Sequence, residues 1–141
     1  MPFRYELLFI SEFICSNRMK NVIVYGVYVV GMHRWGPCEL EVGTPFFCKR
    51  EPDNPVDKNA IAIFSEASHD RKRCYLRRED AASLVPVFNY KEGAFYLKAK
   101  DRPSKFGRRG PMQRCNVGFK VRDSNVDTVR GLLCMFQIKI F

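Results

Sequence analysis

Histidine is scarce in this sequence: His33 and His69 are the only two, and no cysteine stands beside either. Nucleophilic catalysis needs a base within reach of the nucleophile. His69 lies in the polar turn "SEASHDRKR", and nothing local supports pairing His33 with Cys48. The six cysteines (Cys15, Cys38, Cys48, Cys74, Cys115 and Cys134) include no CxxC pair. That excludes a zinc ribbon or dithiol motif and leaves reduced, buried thiols of an intracellular protein as the expectation. No Gly-rich phosphate loop is present, since "GVYVVG" has the wrong spacing and lies within a strand pattern. The first apolar stretch, Leu7 to Ile14, is broken by Ser11 and Glu12, so it reads as neither a signal peptide nor a membrane span. Acid pairs are few as well. Glu79 and Asp80 stand at a predicted helix start, where compensation of the helix dipole accounts for them. No catalytic constellation emerges, and the expectation is a protein that is not an enzyme, with no cofactor and no metal.

What the sequence does have is positive charge. Lys and Arg number 24 against 15 acids, for a net +9 over 141 residues. Between Lys98 and Arg122 there are nine Lys and Arg and one acid, Asp101, so nearly the whole excess sits in one stretch. A solvated face would explain such a run. The near-neutral remainder of the chain favours contact with a polyanion, a nucleic acid or an anionic membrane surface. Apolar content of 46% and aromatic content of 13% exclude a disordered chain. This length suits one domain that folds without staples.

The periodicity predicts a mostly antiparallel barrel-like sheet. "NVIVYGVYVVGMHRW" (Asn21 to Trp35) opens with β-branched and aromatic residues, apolar on both alternating faces, which predicts a central strand buried on both sides. Gly26 within it predicts a bend, as at a barrel corner, and Gly31 ends the run. Further strands are expected at 44–49, 60–64, 74–76, 94–100, 115–121 and in the closing "FQIKIF". "RREDAASLVPVF" predicts a short helix with Ala81, Leu84 and Val85 on its apolar stripe and Pro86 limiting it. Ser124 with Asp127 predicts a capping box opening a second helix. "DRPSKFGRRGPMQR" reads as a basic loop. The fold class is α+β, mostly β: a small antiparallel β-barrel with two short flanking helices. Residues 1–20 read as an N-terminal extension and 21–141 as the domain.

Binding chemistry is better represented than catalysis. "MHRWG" places His33, Arg34 and Trp35 in a row at a strand end, where planar groups can stack on exposed bases. The alternative is that Trp35 plugs the core. In "CKREPDNPVDKNAIAIF", Pro52 and Pro55 restrict the backbone, while Asn54, Asn59, Asp53 and Asp57 can bond backbone amides. A rigid loop with a fixed carboxylate could hydrogen-bond a hydroxyl, though local physics alone favours a purely structural turn.

"REPDNPVDKNAIAIF" followed by "YLRREDAASLVPVF" closely resembles the HIRAN domain, a module of fork-remodelling ATPases that also occurs alone. The matching residues are Arg50, Glu51, Pro52, Asn54, Pro55, Asp57, Asn59, Ala60, Ile61, Tyr75 and Leu76, with "VYVVGMHRW" fitting the family's first strand. The resemblance is strong from Val22 to Phe88 and extends in element order beyond. It implies an OB-like barrel, here as a solo domain, and capture of the 3′-hydroxyl end of single-stranded DNA. It implies Asn54 and Asp57 near the terminal nucleotide, with Asp57 accepting the hydroxyl. Tyr75 and Arg78 fall at an aromatic and a phosphate-contacting position, and His33, Arg34 and Trp35 in the stacking segment. Lys105, Arg108 and Arg109 complete the expected nucleic-acid contacts. Val56 stands where a DNA-binding member has Tyr, and Cys74 where glycine is usual. Those departures motivate the alternative of a protein-interaction domain. The expected partners are single-stranded nucleic acid, DNA in particular, and a protein of a repair or replication complex, with no membrane. The expected location is intracellular, and nuclear in a eukaryote.

Overall fold

The apolar run after Asn21 becomes β1 (Met19–Val30), a strand of an antiparallel sheet that pairs with three others. The computed structural model describes residues 18–31, 39–66, 71–105 and 110–141, with Lys105 described by its backbone alone. After β1 come β2 (Pro45–Arg50), β3 (Ile61–Phe64), β4 (Lys72–Leu76), helix α1 (Arg78–Leu84) and a 3₁₀ turn (Val85–Asn89). Then follow β5 (Lys91–Ala99), β6 (Ser104–Lys105), β7 (Pro111–Arg122), a 3₁₀ turn (Asp123–Asn125), helix α2 (Val126–Leu132) and β8 (Gln137–Ile140). The strands pair in the order β7-β5-β2-β3-β4-β1, and β1 returns to β7, closing a six-stranded barrel. Closure leaves no open edge within that ring. The β8 strand adds to β1 at Val22–Tyr25, on the edge whose far end pairs with β4 at Val29 and Val30. The predicted barrel with two short helices is the fold observed.

β1 departs from its expected burial. Its pairing with β7 runs in register from Met19↔Arg122 to Val24↔Val117, then resumes at Val27↔Cys115. Tyr25 and Gly26 together oppose Asn116, which is a β-bulge. Gly26 has φ +76° there, a conformation that costs other residues about 1–2 kcal/mol. The bulge shifts the inward set from Val22 and Val24 to Val27 and Val29, all fully buried. The opposite face is only half-buried, with the Arg77 guanidinium lying over the Tyr28 ring at 4.9 Å from its centroid. Gly26 therefore does turn a barrel corner, and the simple alternation fails across it.

Inside, Phe95 stacks between Phe88 of the 3₁₀ turn and Phe119 of β7, with centroids 4.6 and 4.8 Å apart. Ala81, Leu84 and Val87 join the same core, with Val85 only partly buried against it. Four predictions need correction. Asp80 does more than compensate a dipole: it is buried, accepts the Tyr28 amide at 2.9 Å and bonds Arg77 at 3.1 Å, tying α1 to β1. The Ser124 capping box does not form. Asp123–Asn125 turn as 3₁₀, Asn125 is the N-cap of α2, and no side chain caps it. The basic loop contains β6, which pairs Ser104 with Met112 at the start of a β7 longer than expected. A second buried polar side chain, Gln113, organises the loop ends near it, bonding both the amide and carbonyl of Leu40 and the carbonyl of Asp101. Cys48, Cys74 and Cys115 are free and buried as expected, but Cys134 is exposed; Cys15 and Cys38 lie outside the described residues. No helix among the described residues is long and apolar enough to cross a membrane.

Candidate nucleic-acid interface

The loop from Glu51 to Ala60 joins β2 to β3, and its conformation is written by its own side chains. Glu51 N donates to Ala60 O at 2.9 Å, closing the loop at its base. Asn54 Oδ1 accepts the amides of Val56 and Asp57 at 2.9 and 3.1 Å, and its Nδ2 donates to Glu51 Oε1 at 3.1 Å. Asp57 Oδ1 accepts the amide of Asn59 at 2.9 Å. These are the local side-chain turns for which Asn and Asp are suited. With φ preset at Pro52 and Pro55, few backbone freedoms remain.

A charged cluster anchors the base. Lys72 Nζ lies 2.6 Å from Glu51 Oε2, and the Tyr75 hydroxyl donates to Glu51 Oε1 at 2.8 Å. The same ammonium reaches the Tyr75 oxygen at 2.8 Å and lies 5.0 Å from its ring centroid. Burial pushes the Glu51 carboxyl up, but hydrogen bonds from Lys72, Tyr75 and Asn54 outweigh it and hold it below the usual glutamate range. Burial pushes Lys72 down, and its bonds to Glu51 and Tyr75 more than reverse that, so it stays charged above the usual lysine range.

The structure thus brings Asn54, Asp57, Tyr75 and Arg78 together. Arg78 opens α1 from the other side of the loop, with Nη2 bonding Val56 O at 3.2 Å and Nε 3.6 Å from Asp57 Oδ2. Asn54 has its side chain spent on the loop, so it positions more than it offers. Asp57 is 18% exposed, and among the described residues its Oδ2 has only the looser Arg78 contact, which leaves room for a donor. Arg78 is 68% exposed. Val56 projects from the tip at 80% exposure. Cys74 faces the core and is fully buried, so replacing glycine there alters packing inside the barrel and not the outer pocket. β1 ends alongside this cluster, with Val30 paired to Tyr75. His33, Arg34 and Trp35 follow it and lie outside the described residues, as do Arg108, Arg109 and the side chain of Lys105.

Sequence reasoning missed Lys72 and gave Glu51 no role in the site. Glu51 stood within the matched motif, a signal that was present; Lys72 sat in an unremarkable polar turn. The basic stretch is also partly neutralised. Arg102 pairs with Glu39 at 3.2 Å, Arg114 with Asp101 at 2.6 Å, and Arg122 with Glu92 at 3.0 Å. Among the described residues no group of His, Cys, Asp or Glu is placed to hold a metal ion.

The sequence matches the family model described as HIRAN domain over residues 22–122. The crystal structure of the HIRAN domain of human HLTF is similar, with TM-score 0.59 and 19% identity over 82% of this chain and 92% of that one. A crystal structure of a protein from Lactobacillus plantarum superposes with TM-score 0.50 and 18% identity, over 72% of this chain and 99% of that one. At these identities the likeness establishes the shared fold. No curated protein matches the sequence.

Proposed function

The chain belongs to the HIRAN domain family, and on that footing we propose that it is a nucleic-acid-binding module that takes single-stranded DNA with a preference for 3′-hydroxyl ends. The observation that carries this reading is the fixed Asp57 carboxylate, with one oxygen used by Asn59 and the other turned toward exposed Arg78. A terminal hydroxyl can donate to Oδ2 while the Arg78 guanidinium neutralises the adjacent phosphate. The pair needs no reorganisation to do so, because Asn54, Glu51 and Lys72 already hold the loop. Bases would stack on Tyr75 and on Trp35 with His33 and Arg34, and Lys105, Arg108 and Arg109 would hold phosphates further along. The module binds without chemistry of its own, in this reading, and acts within a repair or replication complex inside the cell, in the nucleus where there is one.

Fluorescence anisotropy with 3′-hydroxyl, 3′-phosphate and fully duplex oligonucleotides tests it. A 3′-phosphate brings negative charge against Asp57 and should bind more weakly. Asp57→Ala should abolish the difference between the two ends. Charge reversal at Arg108 and Arg109 should weaken all single strands and lower the salt dependence. Equal affinity for all three oligonucleotides defeats end recognition.

One observation favours a second reading, a protein-interaction domain. Val56 is an aliphatic side chain left 80% exposed at the tip of a rigid loop. Capture of a protein partner that survives high salt, without any oligonucleotide binding at low salt, would select that reading.

A further inference from the structure

Tyr96 on β5 is one of two exposed aromatic residues among those described, at 42% exposure, and the other, Phe141, is at the chain end. Its ring packs against Phe47 of β2, with centroids 5.3 Å apart and planes tilted by 51°. On the other side it is paired with Gly118 of β7, which is in turn paired with Ile23 of β1. A glycine beside an aromatic ring leaves that flank of the ring uncovered; a Cβ at Gly118 would meet nothing closer than a backbone oxygen at 3.8 Å. The row therefore presents a flat ring on the outer wall of the barrel.

Lysines frame this ring. Lys98 lies two residues along β5 on the same face, Lys49 two residues beyond Phe47, and Lys120 two residues beyond Gly118. Successive same-face residues of a strand are about 7 Å apart, so the three ammonium groups surround the ring within side-chain reach. All three are exposed, and none forms an ion pair among the described residues. The acid on this wall, Glu92, stands opposite Lys120 but is held by Arg122 at 3.0 Å. The wall adjoins the loop site in register, since Lys49 pairs with Ala62, itself fully buried, which pairs with Tyr75.

We propose that this wall, centred on Tyr96 with Lys49, Lys98 and Lys120, is a second contact surface that stacks an internal base of a single strand and holds the phosphates on either side. It rests on the nucleic-acid reading above but not on end recognition. An uncovered ring with cations on both sides matches the alternation of base and phosphate in a single strand, and base-on-aromatic stacking tolerates any sequence. A strand entering at the loop would continue over Lys49 toward Tyr96.

Oligonucleotide length separates the two surfaces. The full chain is titrated by anisotropy with 3′-hydroxyl strands of about 5 and about 20 nucleotides, around a barrel footprint of about 4–16. Tyr96→Ala should weaken the long strand about 5-fold or more while leaving the short one nearly unchanged, and Tyr96→Phe should restore it. Lys98→Glu with Lys120→Glu should lower the salt slope on the long strand by about 1.4, the share of two phosphates. Asp57→Ala should instead remove end preference and keep the gain with length. Unchanged melting temperature verifies that each exposed variant is folded. Wild-type affinity and slope in both wall variants overturn the proposal while leaving end capture intact. No binding to any strand overturns both.

Discussion

Replacing Glu51 by Gln probes whether a charged anchor holds the β2–β3 loop. The carboxylate meets Lys72 at 2.6 Å, the Tyr75 hydroxyl at 2.8 Å and the Asn54 amide at 3.1 Å. Gln keeps an oxygen for Tyr75 and Asn54 but turns an amide toward the Lys72 ammonium. The loss is one charge-assisted hydrogen bond, about 1.5–3 kcal/mol when well shielded. Both side chains keep 22% of their surface in solvent, which lowers the figure to about 1–2 kcal/mol. At about 4 °C per kcal/mol for a domain of this size, Tm falls by about 4–8 °C. The pH dependence follows from the depressed Glu51 carboxyl. Such a group stabilises the fold fully above its unfolded pKa, and that contribution is lost as pH falls through the folded value. The gap between wild type and E51Q should thus be full near neutral pH and close as pH drops below the usual glutamate range. Thermal and urea melts of wild type, E51Q, Lys72→Met and the double variant supply the numbers. A coupling of about 1 kcal/mol is expected. Costs that add to within about 0.3 kcal/mol, or a gap that persists in acid, would refute the reasoning.

Three further outcomes follow from buried groups and backbone. Asp80→Ala removes the side-chain acceptor of the Tyr28 amide and one of two carboxylate partners of Arg77, which keeps Glu79 at 3.2 Å, and should cost about 1–3 kcal/mol by urea melt. Gly26→Ala forces a Cβ into φ +76° at the bulge; with open space around it, only backbone strain of about 1–2 kcal/mol should appear, read as a Tm decrease. Burial pushes the Cys48 and Cys74 thiols well up and the Cys115 thiol to about 12. In the native protein all three should resist a thiol reagent that labels exposed Cys134 at once, and all should label on denaturation. Their raised values also mean stability held below the ordinary thiol range and lost as pH rises above it, seen as alkaline unfolding.

How much was legible depended on how far each contact reaches along the chain. The loop could be read because Asn54 and Asp57 bond amides two or three residues on, and turn chemistry of that kind needs no tertiary partner. Gly26 could be read as a corner because few residues tolerate its conformation. Asp80 could not, since its partner amide on Tyr28 lies 52 positions away, and from its neighbours alone it is an ordinary helix-start acid. The Glu51–Tyr75 bond spans 24 positions, so the anchor of the site was invisible although both residues belonged to the matched motif. Cys134 sits among apolar letters, yet it falls in the turn after α2 and is exposed, while Val129 and Leu133 take the core.

The amino-acid order by itself determined the strands other than β6, the rigid turn before β3, the lack of paired cysteine motifs and the concentration of positive charge, because each is a property of composition or of contacts within a few residues. Only the tertiary structure decided which side of β1 is core. Alternation with period two carries no information about a bulge, and the two residues facing Asn116 exchange one face for the other. Only closure of β1 onto β7 turned a run of strands into a barrel, and only the pairing of β5 with β7 set Lys98, Lys120 and Tyr96 on one outer wall. Strand pairing is a choice between distant segments, made by the energy of burying them together, and no short stretch of sequence contains it.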